Sequence, residues 1–231
     1  MVPGLRSSQY AYYETIRSYL SGRRKWLDLG CGHHMFATWM EEEEADLTAR
    51  ADLMVGIDYD LPSLKKNASI RHLAVADVRH APLRSETFEL ITANMVVEHL
   101  DDPPSALAEI RRMLKPGGLF VFHTPNYRNY MIFIASLVPD LIKKKIVRFL
   151  EGREEADVFP THYRLNTPGA IRKIAEQSGF KLIELRVENT SATIGSLGPL
   201  AIFELLIIKL LSYEPLKNFR PDIVAVLQNP E

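Results

Sequence analysis

Residues 25–34, KWLDLGCGHH, constrain the chain more than any other stretch. A short apolar run ends in Gly30 and Gly32, and a helix is expected to open at Met35. Glycines at that spacing let the main chain turn with positive φ, or approach a ligand with no Cβ in the way. A helix start that follows such a turn offers unpaired amides and the positive end of its dipole, which suits a carboxylate or a phosphate. A dinucleotide fingerprint requires a third glycine three residues after the second. That place is Met35, which argues against a nicotinamide-dependent oxidoreductase.

Periodicity extends the pattern along the chain. Tyr10, Tyr13, Ile16, Tyr19 and Leu20 fall at helical spacing over 8–21 and predict a leading amphipathic helix packed on the domain. After the glycine turn, 35–50 reads as helix, with the run Glu41 to Glu44 as a solvated face. Strands are expected at 52–57 ending at Asp58, at 71–75 ending just before Asp77, at 88–93 and at 119–123. Between the last two, Asp101-Asp-Pro-Pro caps a helix bearing Leu107, Ile110 and Leu114, and Lys115-Pro-Gly-Gly stops it. A helix capped at Asn166-Thr-Pro, a strand at 180–188 and a last strand at 222–228 close the series. Alternating strands and helices imply an α/β fold with a parallel sheet and right-handed crossovers.

Two apolar stretches interrupt this rhythm, at about 127–160 and 190–220. The first contains Lys143-Lys-Lys-Ile-Val-Arg, cations beside apolar residues. In the second, 200–211 is apolar almost all round, yet too short and too charged by Glu204 and Lys209 to span a bilayer, which needs about 20 apolar residues. Such segments must be buried, pair with one another or lie on a membrane surface. They are expected to form a cap on a single domain over 1–231, or a homodimer contact.

The motifs taken together resemble a class I S-adenosylmethionine (SAM) dependent methyltransferase. Asp28, Gly30 and Gly32 match its first motif. Val55-Gly-Ile-Asp58, Ala76-Asp77-Val78, and the run from Phe88 through Glu98-His99-Leu100 to Lys115-Pro-Gly-Gly and Asn126 follow in the family's order. The resemblance covers about 20–190 and is nearest to the group that includes quinone-biosynthesis methyltransferases. It implies a Rossmann-like, seven-stranded, mostly parallel sheet with helices on both faces, the last strand antiparallel to its neighbour, and SAM as cofactor.

The resemblance also implies a binding set. Asp58 would receive the ribose hydroxyls, with Tyr59 beside it and Asp60 as the alternative if the register differs by two. Asp28 would orient the turn or, through water, the methionine ammonium. The main chain of Gly30, Cys31 and Gly32 would meet the amino-acid end. Asp77 and the Val78 amide would face adenine, and Asn94 and Met95 the methionine side. His34 stands where many relatives carry another glycine, so a side chain there is expected to narrow the pocket or reach the ligand's carboxylate.

For the acceptor, oxygen methylation calls for a base near the hydroxyl, and histidine suits neutral pH. His99 and His162 are the candidates, with Tyr163 and Arg164 as neighbours; His123 inside the fifth strand reads as a core residue. The adjacent His33 and His34 do not complete a metal site, since sequence neighbours rarely share one ion and no cysteine or acidic cluster joins them. A net charge of -1 gives no field that would draw nucleic acid, and Cys31 as the only cysteine permits no intrachain disulfide. The opening MVPGLR lacks an apolar signal core, so a cytoplasmic protein is expected, peripheral to the membrane if the insertions bind it. The expected activity is methyl transfer to a small-molecule or lipid-like acceptor; the alternatives are a SAM-binding partner without catalysis and, on a related sheet, an oxidoreductase.

Overall fold

The computed structural model describes residues 5–21, 25–130, 132, 160–191 and 199–231. Seven strands, β1 (Lys25–Leu29), β2 (Leu53–Asp58), β3 (His72–Val75), β4 (Phe88–Asn94), β5 (Leu114–Pro125), β6 (Lys181–Glu188) and β7 (Asp222–Gln228), form one sheet in the order β3-β2-β1-β4-β5-β7-β6. β1 to β5 are parallel, and β7 runs antiparallel to both β5 and β6. The strand order reverses between β1 and β4, and in open α/β sheets the crevice beyond the carboxyl ends at such a reversal is where ligands bind.

Two apolar layers flank the sheet, because successive strand side chains point to opposite faces. On one face α4 (Pro103–Met113) and α5 (Pro168–Gln177) bury Ala106, Leu107, Ile110, Met113, Ile171 and Ala175 against Ile91, Phe120 and Phe122. On the other, α1 (Ser8–Leu20) and α2 (Glu41–Thr48) cover Trp26, Leu90 and Val121. The α1 stripe differs from the expected one: Tyr12, with Ile16 and Leu20, is fully turned inward, while Tyr10, Tyr13 and Tyr19 flank it. The 12-16-20 line at i,i+4 matches the two aliphatic residues better than a line through Tyr10 or Tyr13. Ser7 caps α1 by accepting from the Gln9 amide.

The helix expected from Met35 starts later, at Glu41 after a 3-10 turn Thr38–Met40. Glu44 is the cause. Its side chain is buried instead of solvated, and Oε2 accepts from the amides of Met35 (3.1 Å) and Phe36 (3.2 Å), doing for those donors what a helix or a ligand would otherwise do. Likewise β5 begins at Leu114, so Lys115 to Gly118 belong to the strand, with a register irregularity opposite β4. Within 127–160, almost all residues and the Lys143–Arg148 cations lie outside the described residues. In the second insertion, α6 (Pro199–Leu211) buries Glu204, Ile208 and Leu211 and exposes Ile202, Phe203, Leu206 and Leu210. No described helix is long and apolar enough to cross a membrane.

Candidate active site

The turn after β1 is fixed by main chain and by Asp58. The amides of Gly30 and Cys31 donate to the Ile57 carbonyl at the end of β2 (2.8 and 3.2 Å), and the Gly32 amide donates to Asp58 Oδ2 at 2.8 Å. Gly30 and Gly32 both have positive φ (62° and 45°). A Cβ on Gly30 would stand 2.5 Å from Val96 Cγ2, so the position requires glycine on two counts. Asp58 Oδ1 accepts from the Asp60 amide at 2.8 Å. Each carboxylate oxygen thus uses one main-chain donor and retains lone-pair capacity for another. Asp60, the alternative to Asp58, caps α3 (Leu61–Leu64), accepting from the Ser63 amide.

These residues open on a cleft of about 470 Å³ at the carboxyl ends of β1, β2 and β4. Gly30, Asp58, Tyr59, Asp77, Val78, Met95, His99 and His162 all line it. Asp77 caps the turn Val78–His80, and its carboxylate takes a forked contact from Arg79, whose other nitrogen reaches Asp101 at 2.9 Å. That hydrogen-bonded guanidinium holds the Asp77 carboxyl below its ordinary range. Met95, at φ 55°, and Tyr163, at φ 51°, are two of the three described non-glycine residues with positive φ, and both border this region. Strain of that kind collects where a site fixes its side chains.

Asp28, Cys31, Gly32 and Asn94 are not brought into the cleft lining. Asp28 is buried on the α1 face of β1 and accepts from Thr92 Oγ1 at 2.5 Å; Trp26 Nε1 donates to the same hydroxyl at 2.7 Å. Burial pushes the Asp28 carboxyl well up. The Cys31 side chain is buried in the same layer, and burial raises its thiol too. Asn94 donates to the Met35 carbonyl (2.8 Å) and to Gln9 Oε1 (2.9 Å), tying α1 to the segment after the glycine turn. Its Oδ1 pairs with His123 Nδ1 at 2.8 Å. His123 is fully buried, its second nitrogen has no partner among the described residues, and burial lowers its pKa to about 3. His34 is turned toward α2, 4.0 Å from both Glu41 and Glu44 carboxylates, and does not narrow the cleft.

On the acceptor side, His99 sits on a 3-10 turn (Val97–His99), and its Nδ1 lies 2.9 Å from the Pro160 carbonyl. A carbonyl only accepts, so Nδ1 carries the proton and, in the neutral ring, Nε2 is the basic nitrogen. The His162 and Tyr163 amides donate to the Glu98 carbonyl (2.7 and 3.1 Å). Tyr163 packs against exposed Tyr127, ring centroids 5.4 Å apart. Sequence reading missed Glu98, Arg79 and Tyr127. Arg79 was legible in principle, two residues from Asp77; a glutamate beside an apolar pair gives no sign that it will turn inward.

The donor set suits a nucleoside with a charged tail: carboxylates at Asp58 and Asp77, a bare main-chain approach at Gly30, and no group of three or more candidate metal ligands among the described residues. Known proteins agree with that chemistry. A family model described as a methyltransferase domain matches residues 7–185. The chain is 28% identical over 134 residues to a malonyl-[acyl-carrier protein] O-methyltransferase of Salmonella typhimurium, covering 52% of this chain and 51% of the relative. It is 29% identical over 123 residues to a ubiquinone biosynthesis O-methyltransferase of Aliivibrio fischeri, covering 50% and 49%. The chain thus spans about half the length of these curated relatives. An S-adenosylmethionine dependent methyltransferase from Mesorhizobium loti shares the fold, with TM-score 0.58 and 17% identity over 96% of this chain and 98% of that one. With the matched domain covering most of the chain and the cleft at the strand-order reversal, the chain belongs to the methyltransferase domain family.

Proposed function

We propose that the chain methylates an oxygen of a small, apolar or lipid-like acceptor. The observation that carries this reading is that His99 and His162 line the same cleft as Asp58 and Asp77, with the His99 tautomer set by Pro160. Bound SAM supplies an electrophilic methyl on a positively charged sulfur, so the protein's own work is holding, orienting and proton transfer. Asp58 would hold the ribose hydroxyls with Tyr59 at the rim, Asp77 and the Val78 amide would hold adenine, and Gly30 and Met95 line the place for the amino-acid end. Asp28 and Asn94 act from beneath, Asn94 by fixing the Met35 carbonyl and α1. His99 Nε2 takes the proton of the acceptor hydroxyl, and His162 faces the acceptor from the neighbouring segment.

Both matched relatives are named O-methyltransferases, which favours oxygen. The lipid-like character is supported by exposed Tyr127 packed on half-buried Tyr163 and by the apolar face of α6, which is tied to the turn after β5 by Tyr130 donating to Glu204 at 3.0 Å. That face also favours a peripheral membrane contact, with a homodimer as the competing use of the same surface. The test is transfer of labelled methyl from SAM to a panel of phenols, quinols, fatty carboxylates and polar amines. Oxygen acceptors with apolar bodies should be preferred, and His99→Ala should lower transfer by roughly 10²–10⁴-fold with S-adenosylhomocysteine binding unchanged. Equal transfer to polar amines overturns the acceptor class; full activity of His99→Ala overturns the base.

A further inference from the structure

Glu98 has no part in that proton transfer, yet both histidine-bearing segments are fastened to it. We infer that Glu98 is the positioning residue of the acceptor side, lacing the His99 turn to the His162 segment so that both imidazoles stand on one cleft. The inference rests on the reading of these histidines as acceptor-side groups.

The lacing runs in both directions. From the turn, the Glu98 carbonyl accepts from the His162 amide at 2.7 Å and the Tyr163 amide at 3.1 Å. From the segment, the Pro160 carbonyl accepts from His99 Nδ1 at 2.9 Å. The Glu98 side chain then anchors the turn from below. It is buried, and Oε2 accepts from Thr124 Oγ1 at 2.9 Å, near the end of β5. Thr124 Oγ1 in turn accepts from Asn166 Nδ2 at 2.6 Å, and Asn166 also donates to the Pro125 carbonyl at 2.9 Å. Asn166 immediately precedes Thr167, the cap of α5. Glu98 therefore joins the turn after β4 to the end of β5 through its side chain, and to the segment that carries His162 through its main-chain carbonyl.

Stability alone does not explain a glutamate here. The carboxyl is desolvated, no cation pairs with it among the described residues, and the charged group facing it from β7 is Asp222, which adds repulsion. An apolar residue of similar size would sit there at lower cost. What it could not do is accept from Thr124 while its main chain holds His162 and Tyr163. The positive φ of Tyr163 fits the same account, because strained backbone persists only where its surroundings fix it.

The experiment uses the ¹⁵N-labelled full chain with S-adenosylhomocysteine, comparing wild type, Glu98→Gln and Glu98→Ala. Imidazole ¹⁵N shifts report the His99 tautomer, and hydrogen exchange reports the His162 and Tyr163 amides. Wild type should show His99 protonated at Nδ1 and both amides protected. Glu98→Gln should keep these signatures, since its side-chain carbonyl still accepts from Thr124. Glu98→Ala should mix the His99 tautomers and speed exchange of both amides by about tenfold or more, with S-adenosylhomocysteine affinity within about twofold of wild type. Thr124→Val removes the same hydrogen bond from the other end and should repeat the alanine result even if Glu98→Ala does not fold. Unchanged tautomer and exchange in Glu98→Ala or Thr124→Val overturns the inference, as does Glu98→Gln behaving like alanine. Full methyl transfer by His99→Ala would instead remove the catalytic reading and leave the lacing measured on its own.

Discussion

Gly30→Ala is the substitution whose cost can be worked most directly from the geometry. Two penalties act at one atom. Gly30 has φ 62°, and an L-residue held in the left-handed region costs roughly 1–2 kcal/mol. The new Cβ would also lie 2.5 Å from Val96 Cγ2 and 3.4 Å from Cγ1. Forcing extra volume into packed surroundings costs about 1–3 kcal/mol, and β-branched Val96 has few rotamers with which to yield. The sum is about 2–5 kcal/mol, or roughly 4–20 °C in Tm for a chain of this size. Only the second penalty is shared with Val96. In a urea-unfolding cycle of wild type, Gly30→Ala, Val96→Ala and the double variant, Val96→Ala should therefore recover about 1–3 kcal/mol of the loss, leaving the backbone part in place. A Gly30→Ala protein as stable as wild type would refute the strain argument. A coupling below about 0.5 kcal/mol would refute the steric one.

Replacing Asp58 with Asn keeps its shape but turns an NH₂ toward either the Gly32 or the Asp60 amide, donor against donor, and removes the charge offered to a ribose. S-adenosylhomocysteine affinity by calorimetry should fall by about 30-fold or more, since hydrogen bonds to charged groups contribute about 1.5–3 kcal/mol each; a change under about threefold would remove Asp58 from the site. Stability should also depend on pH through Glu98 and Asp222, whose carboxyls burial pushes up to about 7 and about 6. The unfolded chain ionises them first and so binds fewer protons between about 4 and 7, which means stability is fully present below that window, falls as pH rises through it, and then levels off. From the ordinary 4.5 to about 7, Glu98 accounts for about 3 kcal/mol of the fall, and Glu98→Gln should flatten the urea-derived profile by that order. A variant profile parallel to wild type would refute the assignment. Glu44→Ala should cost about 2–4 kcal/mol by stranding the Met35 and Phe36 amides, and Glu44→Gln distinctly less, because its carbonyl can accept from both; equal losses in urea unfolding would show that the carbonyl acceptor is not what matters.

Much of the fold was legible because the parallel strands are short apolar runs between capped helices, and cap chemistry is local. Thr167 and Asp102 cap α5 and α4 close to where their residue types announce it. The misplaced helix start at Met35 was not local: the donors there are satisfied by Glu44, eight and nine residues away, in a run whose charge read as solvated. Glu98 escaped for the same reason, its partners being Thr124 and the segment after the first insertion.

The ligand set divides along the pleat of the sheet, and that division was written in the sequence. Alternation puts Trp26 and Asp28 on one face of β1, and Leu90, Thr92 and Asn94 on the matching face of β4. Trp26 and Leu90 are committed to the layer under α1, so Asp28 and Asn94 must follow them beneath it, where Thr92, Gln9 and His123 occupy their hydrogen-bonding capacity. Asp58 ends its strand and lines the cleft, while Asp77, Met95, His99 and His162 lie past strand ends, so no pleat commits those four to either layer. They are the residues that reach the cleft. In this sheet, Asp28 and Asn94, which keep the pleat of β1 and β4, build the floor of the site, and Asp58 with the residues just beyond the strand ends meets whatever binds.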